Sequence, residues 1–279
     1  MRRRIAAVGV LVAAVVGLWL VLGRGSDGVA DPRGARVERI VVDSAAVGER
    51  LPVSVVVPRG ADAGSPRPLL VFLHGRGNDK RTNLREPMFE ALARLGSRAP
   101  IMAFPDGDDS SYWHDRRSGA WGRYVMREVI PQVVRRFGAD SRRVAIGGIS
   151  MGGFGAYDLA RLHPHRFCAV GGHSPALWRT ASETAPGAFD DAEDFAQHDV
   201  IAAARRSPET FAAQPVWLDA GDGDPFQPGD RAFVAALRSA GVQLTAKTWA
   251  GGHEGEYWDR HWGSYLRFYA RALHRCPTR

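Results

Sequence analysis

Val144-Ala145-Ile146-Gly147-Gly148-Ile149-Ser150-Met151-Gly152-Gly153-Phe154-Gly155-Ala156 is the stretch whose reading decides the fold. An apolar strand, Val144 to Ile146, leads in, and a small, glycine-rich helical start, Gly152 to Ala156, leads out. Between them lies a G-x-S-x-G pentapeptide. By itself this pattern is weak in a chain with 32 glycines, but here both flanks agree with it. A serine at the tip of a sharp strand-to-helix turn sits in strained backbone, and the residues two before and two after it press together. Glycine at both positions avoids a Cβ clash. The helix start also directs its positive dipole end toward the serine oxygen. Ser150 is therefore the candidate nucleophile.

A serine hydroxyl needs a base to take its proton. On such an elbow the partners follow along the chain in the order Ser, Asp or Glu, His. A later strand, Val216 to Leu218, runs into Asp219-Ala220-Gly221-Asp222-Gly223-Asp224-Pro225, where three aspartates compete. Asp219 continues the strand, and Asp222 lies within the turn, where Asp is common for turn reasons alone. Asp224, before Pro225 at the end of the turn, is the preferred acid. His253 follows the last strand in Trp249-Ala250-Gly251-Gly252-His253, on a loop able to swing over the sheet, and is the candidate base. His163, His165, His198 and His261 lie in helical or charged surroundings and are expected at the surface.

Stabilising a developing oxyanion takes two backbone N–H groups. Met151, directly after the serine, offers one. Arg76, in His74-Gly75-Arg76-Gly77 after the apolar run Leu69 to Leu73, offers the other. His74 reads chiefly as a hydrogen-bonded residue that shapes this loop. With Trp113 and Trp121 it is also counted as a candidate for the substrate pocket.

Strands and helices alternate after residue 69, which predicts an α/β fold with a mostly parallel central sheet and helices on both faces. The first two strands, Val37 to Val42 and Leu51 to Val57, have no helix between them and should begin the sheet as an antiparallel edge. Helices are expected over Arg85 to Leu95, Tyr124 to Phe137, Gly155 to Leu162, Arg231 to Ala240 and Tyr257 to Leu273. Further strands are expected over Phe167 to Val170 and Leu244 to Trp249. Residues 178–214, rich in Ala, Asp and Glu, should form a small cap insertion. Phe189 and Phe195 are expected to hold it down rather than line a pocket.

With 279 residues, 45% apolar and 24% charged, the chain suits one sizeable core. Its formal charge is +7, but residues 1–30 hold four arginines and one aspartate, which leaves 33 basic and 29 acidic side chains in the rest. No basic stripe with interleaved aromatics occurs, so nucleic acid is not an expected partner. Neither a phosphate-binding loop nor a Cys/His metal cluster is legible, so no cofactor and no metal are expected. Met1-Arg2-Arg3-Arg4 precedes an uncharged apolar run over residues 5–23. Such a run is a signal-anchor or a long signal peptide, and the anchor is preferred. Residues 24–36 read as a linker and 37–279 as the folded domain. The arginines would stay cytoplasmic, which places that domain outside. Cys168 reads as a small buried hydrophobe, with a bridge to Cys276 open in an oxidising compartment.

Several motifs together resemble the esterase D / antigen 85-like branch of the α/β-hydrolases, which includes S-formylglutathione hydrolases, feruloyl esterases and mycolyltransferases. They are Leu73-His74-Gly75-Arg76-Gly77, Pro105-Asp106-Gly107, Glu128-Val129-Ile130-Pro131, Gly148-Ile149-Ser150-Met151-Gly152-Gly153, His173-Ser174-Pro175-Ala176-Leu177, and Gly251-Gly252-His253 followed by Trp258. The resemblance covers most of residues 50–272. It implies the α/β-hydrolase fold, ester hydrolysis or acyl transfer, and the trio Ser150, Asp224 and His253. The leading expectation is an extracytoplasmic carboxylic-ester hydrolase acting on a small-molecule or lipid-like ester. An acyltransferase onto cell-envelope sugars would use the same residues, and a non-catalytic binding protein of the same fold is the reading from another class.

Overall fold

The computed structural model describes residues 30–61 and 66–276. The expected anchor or signal segment over residues 5–23 lies outside them. Among the described residues no helix is long and apolar enough to cross a membrane.

Strand β1 (Arg36–Ser44) ends in alternating buried and exposed residues, as an edge strand does. It pairs antiparallel with β2 (Glu49–Val57), which in turn pairs antiparallel with the fourth strand. The next two strands, β3 (Leu69–Leu73) and β4 (Ile101–Pro105), are buried throughout, because helices cover both faces of the sheet there. Helix α1 (Glu86–Ala93) connects them. A helical turn at Trp121–Arg123, a π-helix at Tyr124–Val129 and α2 (Ile130–Phe137) then lead to β5 (Val144–Ile149). The single helix expected over Tyr124 to Phe137 is thus divided. Pro131 supplies no N–H to the preceding turn, and the wider π-helix occupies the residues before it.

Beyond β5 come α3 (Met151–Leu162), β6 (Val170–His173), α4 (Ala192–His198), α5 (Val200–Arg206), α6 (Glu209–Ala212), β7 (Val216–Gly221), α7 (Gln227–Ser239), β8 (Leu244–Trp249) and α8 (Gly255–Arg275). The sheet order is β1-β2-β4-β3-β5-β6-β7-β8, parallel from β4 onward. The chain moves outward from β3 to β4 and then returns to the other side of β3 with β5. That reversal opens a crevice at the carboxyl ends of β3 and β5, where ligands of open α/β sheets bind.

Alternate residues of β3 serve opposite faces. Leu69, Val71 and Leu73 join the core with Phe154 and Tyr157 of α3. Phe72 packs the other way, on Phe104 and on Trp262 of α8, 4.8 Å between centroids in the latter pair. The strand expected over Phe167 to Val170 begins only at Val170. Cys168 instead forms a disulfide with Cys276 across 108 residues, so the reading of Cys168 as a free buried hydrophobe is corrected. The bridge left open as the alternative is the one formed. Residues 178–214 mostly join the helical layer, with α5 against α3 and α7 and α6 against α3. Phe189 packs on Phe154, Trp178 and Phe195, at 5.5, 5.9 and 5.2 Å, and so holds the segment down as expected.

At the strand ends a polar cluster is sealed in the core. The two oxygens of Asp219 accept from His173 Nδ1 at 2.7 Å, Trp217 Nε1 at 2.7 Å, Tyr257 Oη at 3.0 Å and Tyr265 Oη at 2.9 Å. Burial, then the neighbouring Asp219 charge, raises the pKa of both phenols, which therefore stay protonated and donate. Asp219→Ala would strand four buried donors. It is expected to cost about 3–5 kcal/mol, read as a lower urea midpoint. A midpoint unchanged within error would show that the cluster contributes no net stability.

Candidate active site

Ser150 caps the end of β5 and opens α3 at φ 56°, ψ −116°, a conformation that non-glycine residues rarely adopt. Glycine on either side makes the turn possible. A Cβ on Gly148 would lie 2.5 Å from the Gly152 backbone, and one on Gly152 would lie 2.1 Å from the Leu73 carbonyl oxygen. The bend is locked by hydrogen bonds: Ser150 N–H donates to His173 O at 3.0 Å, and Phe154 and Ala176 N–H both donate to Ser150 O at 3.0 Å.

His253, on the loop between β8 and α8, lies with Nε2 2.9 Å from Ser150 Oγ and Nδ1 2.9 Å from Asp224 Oδ2. Asp224 Oδ1 accepts the Phe226 N–H at 2.9 Å. Burial is the largest single influence on the Asp224 carboxyl and opposes its charge. The His253 hydrogen bond and charge, the Phe226 N–H and the Ser174 hydroxyl together outweigh burial, so its pKa falls below the ordinary value. A hydrogen-bonded chain of this kind can take a proton from Ser150 and hold the resulting imidazolium.

The competition among the three aspartates is resolved by direction. Asp219 points into the sealed cluster beneath the site. Asp222 is exposed and accepts the Gly251 N–H at 3.1 Å, tying the β7 and β8 loops together. Asp224 alone of the three meets His253. Two further residues frame the imidazole: Trp258, already part of the motif after His253, and Phe226, which no sequence pattern singled out. Phe226 is 5.1 Å from the ring and Trp258 is 5.3 Å from it, edge-on at 87°, and Trp258 Nε1 donates to Ser174 Oγ at 3.1 Å. The position of Phe226, two residues after Asp224, was the available signal for it.

The loop after β3 reaches the same point: a Cβ on Gly75 would lie 3.3 Å from the Ser150 Cβ. Arg76 and Met151 therefore flank the serine from the two sides of the crevice. The Arg76 guanidinium turns outward, donating to Pro186 O at 2.9 Å.

The pocket readings of Trp113 and Trp121, and the second reading of His74 as a pocket residue, are corrected. His74 is 1% exposed; its Nδ1 donates to Gly75 O at 2.8 Å and its Nε2 accepts the Gly107 N–H at 3.0 Å, so it shapes the loop. Burial lowers its pKa, against the Gly75 hydrogen bond and the Asp106 charge. Trp113 is fully buried, donates from Nε1 to His74 O at 3.2 Å and fills the space left by Gly107 and Gly155. Trp121 belongs to the core, 6.2 Å from the Tyr124 ring. Large aromatic area favours burial, and these rings found it in the core. Surface placement of His198 is likewise corrected: it is buried, with Nδ1 2.8 Å from Asp158 Oδ2. His261 is half-buried and stacks on Trp249 at 4.0 Å.

Beside Asp224, Asp230 on α7 is 2% exposed, and neither of its oxygens has a hydrogen-bond partner. Burial first, and the Asp224 and Asp219 charges next, push its pKa well above the usual range. The folded chain thus keeps a proton that the unfolded chain loses above about pH 4. Stability should fall by up to about 1.4 kcal/mol per pH unit between the unfolded and folded pKa values. Asp230→Asn removes this loss. Its stability relative to the parent is expected to rise from pH 5 to pH 8 in urea titrations, whereas parallel profiles would show that the carboxyl ionises in the fold.

The family model described as "Putative esterase" matches residues 44–271. The chain belongs to this esterase family. The description of that family, an esterase, agrees with the expectation from the sequence of an ester-hydrolysing enzyme. Curated relatives of this family member include esterases from two strains of Mycobacterium tuberculosis, each 23% identical, with the match covering 75% of this chain and 54% of theirs. The chain spans about half the length of these relatives. Among solved structures, a ferulic acid esterase superposes with TM-score 0.75 at 21% identity, covering 85% of this chain and 98% of that one. An S-formylglutathione hydrolase from Agrobacterium tumefaciens gives TM-score 0.75 at 20% identity, covering 88% and 99%. These likenesses establish the α/β-hydrolase fold of the family member.

Proposed function

We propose that the chain is an extracytoplasmic serine esterase that hydrolyses carboxylic esters through an acyl-enzyme on Ser150. The observation that carries this reading is the hydrogen-bonded chain from Ser150 Oγ through His253 to Asp224, with the serine held at positive φ.

His253 Nε2 takes the Ser150 proton as Oγ attacks the ester carbonyl carbon. Asp224 holds the Nδ1 proton and stabilises the imidazolium. The backbone N–H groups of Arg76 and Met151 receive the oxyanion. The imidazolium protonates the departing alkoxide, which leaves an acyl group on Ser150. Water, deprotonated by the same imidazole, attacks the acyl carbon, and the proton returns to Ser150 as the acid departs. The substrate is a small-molecule or lipid-like ester. The Arg2-Arg3-Arg4 start, the apolar run that follows and the Cys168–Cys276 disulfide support an oxidising location outside the cytoplasm, on a membrane anchor or free after cleavage.

The full chain should be tested with a fluorophosphonate probe and with chromogenic esters of increasing acyl length. Labelling of Ser150 with turnover on esters is expected. Labelling without hydrolysis, with acyl passing to an added sugar, would assign the same acyl-enzyme to transferase chemistry. Folded chain that neither reacts with the probe nor turns over would overturn the reading.

A further inference from the structure

Away from Ser150, His114 meets two further metal-ligating side chains that lie 80 and 84 residues later in the chain. Helix α4 presents Asp194 and His198 one turn apart on one face. His114, from the loop after β4, meets them. One ligand atom from each of the three lies within 4.8 Å of the others. His114 Nε2 is 3.1 Å from Asp194 Oδ2, and His198 Nε2 is 3.8 Å from Asp194 Oδ1. The two imidazole rings are 4.4 Å apart. The side chains are nearly sealed, with exposures of 0%, 12% and 11% for His114, Asp194 and His198.

We propose that His114, Asp194 and His198 bind one divalent transition-metal ion of the zinc type, with the buried Asp158 orienting His198.

Proton placement supports this. Asp158 Oδ2 accepts from His198 Nδ1 at 2.8 Å, which leaves the lone pair on Nε2, the nitrogen that faces Asp194. A carboxyl group on the far nitrogen of a ligating histidine is the usual outer partner of zinc sites. His114 Nδ1 is buried and has no hydrogen-bond partner, so it can take the ring proton; the Nε2–Asp194 hydrogen bond is then given up and Nε2 is freed for the ion. Among the described residues, the ion pairs of Asp194 are with these two histidines and not with an arginine or lysine. Two imidazole nitrogens and one carboxylate oxygen form a donor set suited to zinc. In a tetrahedral site such ligand atoms stand about 3.4 Å apart, so the widest separation in the cluster closes by up to about 1.4 Å on binding. A cavity of about 210 Å³ borders the cluster on the side of His114, His198 and Asp158. The ion would clip α4 to the loop after β4, and the Asp158–His198 bond ties that pair to α3.

The test uses full chain stripped with a chelator and titrated with Co²⁺ as a visible stand-in. One equivalent is expected to give the absorption of a four- or five-coordinate ion, abolished by Zn²⁺ and absent in His198→Gln and Asp194→Asn. Asp158→Asn, which removes no ligand, should weaken binding 10–100-fold. Absence of stoichiometric binding by the parent chain, or undiminished binding in both ligand variants, would overturn the proposal. Should the ligand variants fail to fold, X-ray absorption of the zinc-loaded parent decides. Two imidazoles in the first coordination sphere support the site, and fewer than two refute it.

Discussion

Ser150→Ala is expected to lower kcat on chromogenic esters by about 10⁵- to 10⁶-fold and to abolish fluorophosphonate labelling. The hydroxyl is the one group at the elbow able to form the acyl bond. Without it, His253 has no bound nucleophile to deprotonate, and only the oxyanion donors and substrate binding remain. The substitution should be structurally quiet. Ser150 is held by its backbone, through Ser150 N–H to His173 O and through Phe154 and Ala176 N–H to Ser150 O, and alanine preserves all three bonds. An alanine at φ 56° carries the strain the serine already bears. Urea midpoints of the two proteins should therefore agree closely while their rates diverge. A variant that keeps more than a tenth of the parent rate would show that a different group attacks the ester.

Asp224→Asn should reduce kcat by about 10⁴-fold. Asparagine fills the same space and can keep the Phe226 N–H bond at one end. Its amide, however, cannot stabilise the imidazolium that forms when His253 takes the serine proton. If the amide nitrogen faces Nδ1, it also selects the tautomer with the proton on Nε2, which no longer accepts from Ser150. The control is Asp222→Asn, two residues away. Asp222 is exposed, and its contact is the Gly251 N–H, which an asparagine oxygen can still accept, so its rate should stay within a few-fold of the parent. Equal losses in the two variants would mean that the turn as a whole, and not the Asp224–His253 bond, sustains activity.

The elbow was legible because its chemistry is local. A strand, a serine and a helix joined at a point where only glycine fits leave a mark within five residues, and the Cβ distances at Gly148 and Gly152 explain that mark. The alternation of apolar runs and helical segments likewise announced the parallel sheet and its antiparallel edge, since each depends on short-range periodicity. His253 and the preference for Asp224 could be read from chain order and from loops placed after strands.

Other features depended on direction, which periodicity does not encode. Three aspartates within six residues are alike in composition, yet one enters a sealed cluster with His173 and three aromatic donors, one braces a loop and one meets His253. Trp113 and Trp121 read equally well as pocket wall or core, and burial of their large apolar area decided for the core. Cys168 with Cys276, and His114 with Asp194 and His198, are joined across stretches of chain too long for any spacing rule. Residue order was thus sufficient for what the backbone must do locally: turn sharply at Ser150, alternate, and place loops at one end of the sheet. Which side chains meet across that end was settled by packing, because contact between distant residues depends on how the whole core fills its space.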